Sequence, residues 1–180
     1  MRIITGKARG TKLFSLEGEE TRPTSDRTKE AIFSILQFSI EGRKVLDLFG
    51  GSGQMALEAV SRGAESAVIA DRSKAAVGII EKNCEKTHLG GSCKVMCSDW
   101  GETLRRLKGN KFDIVFLDPP YALNIIPKIL TELNNYLKPT SVVVCESGND
   151  ISEDIGDAYS VIKQAKYGVA YVTLLKLKGE

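Results

Sequence analysis

Phe112-Asp113-Ile114-Val115-Phe116-Leu117-Asp118-Pro119-Pro120-Tyr121 is an apolar run that ends in an acid, two prolines and an aromatic ring. Ile114 to Leu117 read as a strand buried on both faces, the habit of a parallel sheet covered by helices. Proline lacks an amide donor and has a fixed φ, so the ladder stops at Asp118. In an open α/β sheet the carboxyl end of a strand is where ligands bind. Here it presents a carboxylate, a proline carbonyl and a ring face together. That set suits a flat heterocycle carrying an NH2 group: Asp118 and the Pro119 carbonyl each accept one N–H while Tyr121 stacks on the base. The plainer reading is a proline-capped strand with its acid in solvent. The rest of the chain decides between them.

With 180 residues, 42% hydrophobic and 27% charged, the chain can bury one good core. No apolar run approaches the ~20 residues that span a bilayer. The N-terminus has no apolar signal core, so a cytoplasmic location is expected. A net charge of +2 does not announce a nucleic acid by itself, but residues 1–16 carry Arg2, Lys7, Arg9 and Lys12 and no acid. A local basic patch of that kind is an electrostatic footprint for phosphate, or else a charged guard on an exposed strand edge.

Cys84, Cys93, Cys97, Cys145 and the single His88 raise the question of a metal. On a strand, four residues at ~3.3 Å each separate the Cys93 and Cys97 sulfurs by about 13 Å. One zinc with ~2.3 Å bonds cannot reach both. No metal site is expected, and the thiols read as reduced and buried.

In chain order, Arg2 to Thr5 and Thr11 to Leu16 are short strand-like runs broken by Gly6 and Gly10, which predicts a small hairpin. Thr24, Ser25 or Asp26 can cap a helix running from Asp26 to about Phe38, whose apolar face is Ala31, Ile32, Ile35 and Leu36. Lys44 to Phe49 is a buried strand that enters Gly50-Gly51-Ser52-Gly53, and a helix follows from Met55 to Val60, closed by Gly63. Ser66 to Ala70 is a strand ending in Asp71, and Lys94 to Cys97 is another, followed by Asp99 and Trp100. Ile125 to Leu137 is helical with Pro127 in its first turn, Ser141 to Glu146 is a fifth strand, and Tyr159–Lys163 and Val169–Leu177 form a hairpin around Tyr167-Gly168. The expected fold is therefore α/β, a doubly wound and mostly parallel seven-stranded sheet with an antiparallel hairpin edge. The division expected is a basic N-terminal hairpin and helix over 1–43 and a main domain over 44–180.

Gly51-Ser52-Gly53-Gln54-Met55-Ala56 fits the dinucleotide pattern G-x-G-x-x-A, which alone is a weak signal. A dehydrogenase would need a substrate domain for which 180 residues leave no room. S-adenosylmethionine fits better. Asp47 ends the first strand and can orient the loop. Phe49, Gly50, Gly51, Ser52 and Gly53 bring backbone to a ligand at a helix N-terminus. Asp71 with Arg72 lies at the distance that serves ribose hydroxyls. Asp99 and Trp100 suit an adenine amine and its face.

Several segments together resemble the RsmD-type family of bacterial 16S rRNA (guanine(966)-N(2))-methyltransferases. They are Arg22-Pro23-Thr24-Ser25-Asp26-Arg27, Glu30-Ala31-Ile32-Phe33, Asp47-Leu48-Phe49-Gly50-Gly51-Ser52-Gly53, Glu58-Ala59-Val60-Ser61-Arg62-Gly63-Ala64 and Asp118-Pro119-Pro120-Tyr121. The resemblance covers essentially the whole chain. The chain departs from it at Gln54-Met55, where small residues are usual, and at Asp71, where glutamate is commoner. It implies a class I S-adenosylmethionine-dependent methyltransferase fold and catalysis by Asp118, Pro119, Pro120 and Tyr121 without a metal. It further implies 16S rRNA within the small ribosomal subunit or its precursor as partner, held by Arg2, Lys7, Arg9, Lys12, Arg22 and Thr24. Two other readings of the residues stand beside it. One is an adenine-N6 or other amino methyltransferase, since any conjugated NH2 satisfies Asp118. The other is a non-catalytic RNA- or cofactor-binding module in which the Asp-Pro-Pro-Tyr turn is structural.

Overall fold

The computed structural model describes residues 1–16 and 25–179. Arg22 and Thr24, two of the expected RNA contacts, lie outside that range. Five strands, β1 (Lys44–Asp47), β2 (Ser66–Asp71), β3 (Cys93–Cys97), β4 (Phe112–Leu117) and β5 (Leu137–Ser147), run parallel. β6 (Tyr159–Tyr167) and β7 (Ala170–Leu177) add an antiparallel edge, giving the order β3-β2-β1-β4-β5-β7-β6. The chain winds outward from β1 to β3 and returns to β4, so β1 and β4 are adjacent where the winding reverses. That switch point is the binding crevice of an open α/β sheet.

Helices α1 (Asp26–Leu36), α2 (Gln54–Ser61), α3 (Lys74–Thr87), α4 (Trp100–Arg106) and α5 (Ile126–Leu133) accompany the strands. Two apolar cores flank the sheet. Ile114 and Phe116 of β4 enter one with Ile32, Phe33, Leu57 and Ile80, while Val115 and Leu117 enter the other with Leu104, Ile129 and Leu130. All six residues of β4 are buried, the apolar run Ile114 to Leu117 as expected and Phe112 and Asp113 with it. Ser25 caps α1, its hydroxyl accepting from the Thr28 amide at 3.1 Å. Among the described residues no helix is long and apolar enough to cross a membrane.

Three local expectations shift. α5 ends at Leu133 and passes through a 3-10 turn, Asn134–Tyr136, so β5 begins at Leu137 and contains Pro139. The proline is tolerated because the β4–β5 register jumps from Phe112↔Leu137 to Ile114↔Val142, and no ladder bond is asked of it. The N-terminal hairpin is reduced to one antiparallel bridge, Arg2↔Lys12. Ile3 and Leu13 still donate across the turn, to the Thr11 carbonyl at 3.0 Å and the Met1 carbonyl at 3.3 Å, but four amides between them are committed elsewhere: Ile4 and Thr5 donate to Glu58, Ala8 to Ser61 Oγ and Lys7 to the Ser61 carbonyl. Of the thiols, Cys84 and Cys145 are buried, but Cys93 is half-buried and Cys97 exposed.

At the amino ends of the strands buried Asp113 ties three elements together. It accepts from Lys138 at 2.8 Å to both oxygens, from the Lys44 amide at 2.9 Å and from Arg43 at 3.2 Å. Burial alone would raise its pKa, but these donors hold it below the usual carboxylate value.

Candidate active site

At the carboxyl end of β1, Asp47 is buried and accepts from the Phe49 amide at 3.3 Å. Burial, with repulsion from Asp71, pushes its pKa up to about 7. The chain then turns so tightly that a Cβ on Gly50 would stand 2.6 Å from Ile69 Cγ2. Gly53, at φ +78°, begins α2 without any side-chain cap, at the kind of helix N-terminus that receives a ligand. Asp71 at the end of β2 braces this loop: Oδ2 accepts from the Gly51 amide at 2.9 Å and Oδ1 from the Ser73 amide at 2.8 Å. Each oxygen keeps a second lone pair for a hydroxyl.

Asp99 is exposed and caps α4, accepting from the Glu102 amide at 2.9 Å. Trp100 beside it is half-buried, with the Lys128 ammonium 5.7 Å from its ring centre. Arg72 is exposed.

Pro119, just beyond β4, is buried; Asp118 and Pro120 are reached by solvent. The protein that crowds Asp118 on its other sides desolvates it, and the carboxylates of Glu146 and Asp47 add repulsion, so its pKa stands well above the usual range. Tyr121 opens a 3-10 turn, Tyr121–Leu123, and its hydroxyl donates to Glu146 Oε1 at 2.9 Å. Burial and the Glu146 carboxylate raise the phenol pKa, so the hydroxyl remains a donor. A Cβ on Gly148 would lie 3.0 Å from Tyr121 Cδ2. One side of the ring is thus backed by Gly148, and the residue as a whole is 40% exposed.

Asp71, Asp47, Asp118 and Glu146 form a chain of electrostatically coupled carboxylates across the ends of β2, β1, β4 and β5. Such a row favours a cation at its centre. The glycine cradle, the uncapped helix start and this negative row fit a cationic nucleoside such as S-adenosylmethionine.

The basic residues sit elsewhere. Arg2, Lys7, Arg9 and Lys12 are all exposed, on a segment fastened along α2 and α1. Glu58, fully buried, accepts from the Ile4 amide at 2.7 Å, the Thr5 amide at 3.0 Å and Arg62 Nε at 2.8 Å, and pairs with the buried Lys29 ammonium at 3.7 Å. Lys29 also donates to the Arg2 carbonyl, and burial lowers its pKa despite Glu58 and Asp26. Gly6 is obligatory: a Cβ there would overlap the Ser61 carbonyl oxygen at 1.8 Å, and φ is +88°. Since α2 runs back from the carboxyl edge of the sheet, Lys7 beside Ser61 lies about 12 Å along the helix from Gly53. The structure therefore brings Asp47, Asp71 and Asp118 together with the glycine loop at one edge of the sheet, and leaves Asp99 on its own helix cap and Lys7 and Arg9 away along α2.

Asn83 and Glu146 escaped the sequence reading. Asn83, fully buried on α3, donates to the Ser52 carbonyl at 2.9 Å and the Phe14 carbonyl at 3.0 Å, and accepts from the Phe14 amide at 2.8 Å. It holds the glycine loop and the basic segment to one helix. Both were signalled as polar positions in apolar settings, Asn83 on the face of α3 that carries Ala76, Ile80 and Cys84, and Glu146 after Val142 to Cys145.

A family described as "Conserved hypothetical protein 95" matches residues 1–176. The chain belongs to this family, the RsmD-type family its motifs resemble. It is 31% identical to ribosomal RNA small subunit methyltransferase D of Haemophilus influenzae, over 94% of this chain and 90% of that one. To the Escherichia coli protein of the same name it is 35% identical, over 82% and 74%. Among solved structures, the yhhF protein of Escherichia coli superimposes with a TM-score of 0.86 at 30% identity, covering 100% and 99% of the two chains. The RsmD-type chain has the class I methyltransferase fold expected from its strand order.

Proposed function

We propose that this protein uses S-adenosylmethionine to methylate the exocyclic N2 of a guanine in small-subunit ribosomal RNA. The observation that carries the reading is the Asp118-Pro119-Pro120-Tyr121 turn at the end of β4, directly beside the glycine loop that follows β1. The names of the Haemophilus and Escherichia relatives support ribosomal RNA as the substrate.

An exocyclic amine on a base is a poor nucleophile because its lone pair is delocalised into the ring. When bound, S-adenosylmethionine supplies an electrophilic methyl group on a positively charged sulfur. The Asp118 carboxylate and the Pro119 carbonyl are acceptors for the two amine hydrogens, and holding both directs the lone pair out of the ring plane. Tyr121, backed by Gly148 and tethered by Glu146, offers a fixed ring for the base. Stacking of that kind contributes about 1–3 kcal/mol per base. The surplus proton on nitrogen leaves to Asp118, whose raised pKa suits an acceptor, or to water. The negative row from Asp71 to Glu146 stabilises positive charge in the crevice without moving during the reaction. Exposed Arg2, Lys7, Arg9 and Lys12 contact phosphates and position the RNA without reading its sequence.

The test is methyl transfer from labelled S-adenosylmethionine to unmodified small-subunit particles and to free 16S rRNA, followed by digestion and mass spectrometry of the nucleosides. N2-methylguanosine is expected. N6-methyladenosine would give the site to the other base, and cofactor binding without transfer to either substrate would make the chain a binding module.

A further inference from the structure

In methyl transfer the sulfur and the amine stand on opposite sides of the carbon, so donor and base approach Asp118 from different directions. The glycine loop after β1 and Asp71 after β2 take the donor's half of the carboxyl edge. The RNA around the target is left the other half, where the sheet continues β5-β7-β6. Lys7 is not there, since it sits on α2 behind the glycine loop. Residues 158–179, which hold β6 and β7, carry Lys163, Lys166, Lys176 and Lys178 and no acid. Ser147, the last residue of β5, pairs with Tyr171, so the β6–β7 turn projects from the same edge as Asp118. Tyr167 pairs with Ala170 to close a two-residue turn in which Gly168 has φ +63°, the glycine-first pattern of a II′ hairpin. Val169 stands at its tip, 62% exposed. The Lys166 ammonium lies 4.9 Å from the Tyr171 ring centre, which holds a cation at the base of the turn. Ser147 is followed by Gly148, which backs the Tyr121 ring, so the tip is on the order of 10 Å from the base platform. Among the described residues neither Lys163 nor Lys166 pairs with a carboxylate. Asp150, bonded to the hairpin through Gln164 at 2.7 Å, spends the same oxygen on the Ser152 amide and hydroxyl.

We propose that the tip of the β6–β7 hairpin is a second RNA-binding surface, which holds the single strand next to the target nucleotide. Lys166 takes a phosphate there, Lys163 takes another three residues back along the open edge of β6, and Val169 packs against a flanking sugar or base. The inference rests on the ribosomal RNA reading above. Proteins that follow a single strand combine cations for its backbone with apolar or aromatic side chains for its bases, and the tip offers both. Lys166 is already placed by the Tyr171 ring, so gripping a phosphate costs it less side-chain freedom than a free lysine would lose. Lysines on an edge strand also deter pairing with another sheet. That role accounts for Lys163 but not for an exposed valine on the turn beside the reacting edge. Lys176 and Lys178, at the far end of the hairpin, have no part in the surface.

Two measurements on the full chain test this, with unmodified small-subunit particles as the RNA. In the first, Lys163→Gln/Lys166→Gln is compared with Lys176→Gln/Lys178→Gln, which makes the same change of charge at the far end. The tip pair should flatten the dependence of log Kd on log salt by about 1.4, since each phosphate released on single-stranded RNA takes ~0.7 from that slope, and the far pair should leave it unchanged. KM should rise for the tip pair while the single-turnover rate at saturation stays that of the wild type, as for loss of binding that is equal in ground and transition states. In the second, Val169 is replaced by the photoreactive p-benzoylphenylalanine, the complex is irradiated and the joined nucleotide is mapped by reverse transcription. The crosslink is expected within a few nucleotides of the methylated one. Equal slopes for the two pairs overturn the inference, as does a Val169 position that joins no RNA, or only another copy of the chain, while methylation proceeds. Failure of the ribosomal RNA reading is a separate result, seen in the wild type itself as particles neither bound nor methylated.

Discussion

Replacing Glu58 by Ala tests how the basic segment is attached to the methyltransferase sheet. In the folded protein this one carboxylate takes the Ile4 and Thr5 amides, Arg62 Nε and the Lys29 ammonium, all with no exposure of its own side chain. Its removal leaves Lys29, also 0% exposed, with Asp26 at 3.9 Å as its remaining carboxylate. Breaking a buried pair by deleting one partner costs about 3–5 kcal/mol. The two orphaned amides would add about 1–3 kcal/mol each if they stayed buried. They need not stay, because the segment can peel from α2 and let water satisfy them, which caps the loss near the cost of the ion pair. A loss of about 4 kcal/mol is a large part of the 5–15 kcal/mol typical of a domain and lowers Tm by about 8–16 °C in a chain of this size. Urea unfolding followed by far-UV circular dichroism measures it, and hydrogen exchange at Ile4 and Thr5 shows whether the segment has come away. Glu58→Gln, which keeps an acceptor for the amides, should lose less than the Ala variant. A loss below about 1 kcal/mol in Glu58→Ala, with Ile4 and Thr5 still protected, would refute the account of the clamp.

Other consequences follow from individual residues. Asp47, with its pKa raised to about 7, binds a proton in the folded state that the unfolded chain releases near pH 4, so it subtracts stability as pH rises from about 4 to about 7. Asp47→Asn should therefore gain on the order of 1–3 kcal/mol at pH 8 by thermal or urea unfolding. In calorimetry, wild-type binding of S-adenosylmethionine should tighten relative to that of its neutral thioether product between pH 6 and 8 as Asp47 ionises, and Asp47→Asn should lose that tightening. Gly148→Ala places a methyl 3.0 Å from the Tyr121 ring and should raise KM for RNA with little change in Tm. Replacing Lys7, Arg9 and Lys12 together by Ala should flatten the dependence of log Kd on log salt by about 2, since each phosphate neutralised on single-stranded RNA adds ~0.7 to that slope. An unaltered slope would make these residues solubilising charges only.

The first strands of the sheet were legible because β1, β2 and β4 are short, mostly apolar runs that end in or just before Asp47, Asp71 and Asp118. The end of β4 could be read to the residue, since nothing extends through Pro119-Pro120, whereas its start at Phe112 lies two residues before the expected Ile114. The glycine loop was equally plain, as was Pro127 at the start of α5. The N-terminal segment was less legible, because its alternation and glycines describe a hairpin while its amides find better acceptors on α2. Those acceptors lie more than fifty residues away, and Glu58 and Ser61 carry no local mark of that role. Glu146 and Asn83 are long-range in the same sense, although a lone polar side chain in an apolar strand or on a buried helix face is a visible clue. Asp99 shows the converse: an acid after a strand also caps the helix that follows, and the structure commits one oxygen to that cap.

The central claim is that Asp118 orients the target amine and does not merely terminate a strand. Single-turnover methyl transfer with saturating S-adenosylmethionine and small-subunit particles, compared between the wild type and Asp118→Asn, measures it directly. Loss of one preorganised catalytic hydrogen bond should slow the step by about 10²-fold or more, with the cofactor product bound within about threefold of wild type and Tm unchanged or higher. Transfer at the wild-type rate by Asp118→Asn would contradict the claim and return the acid to a structural role.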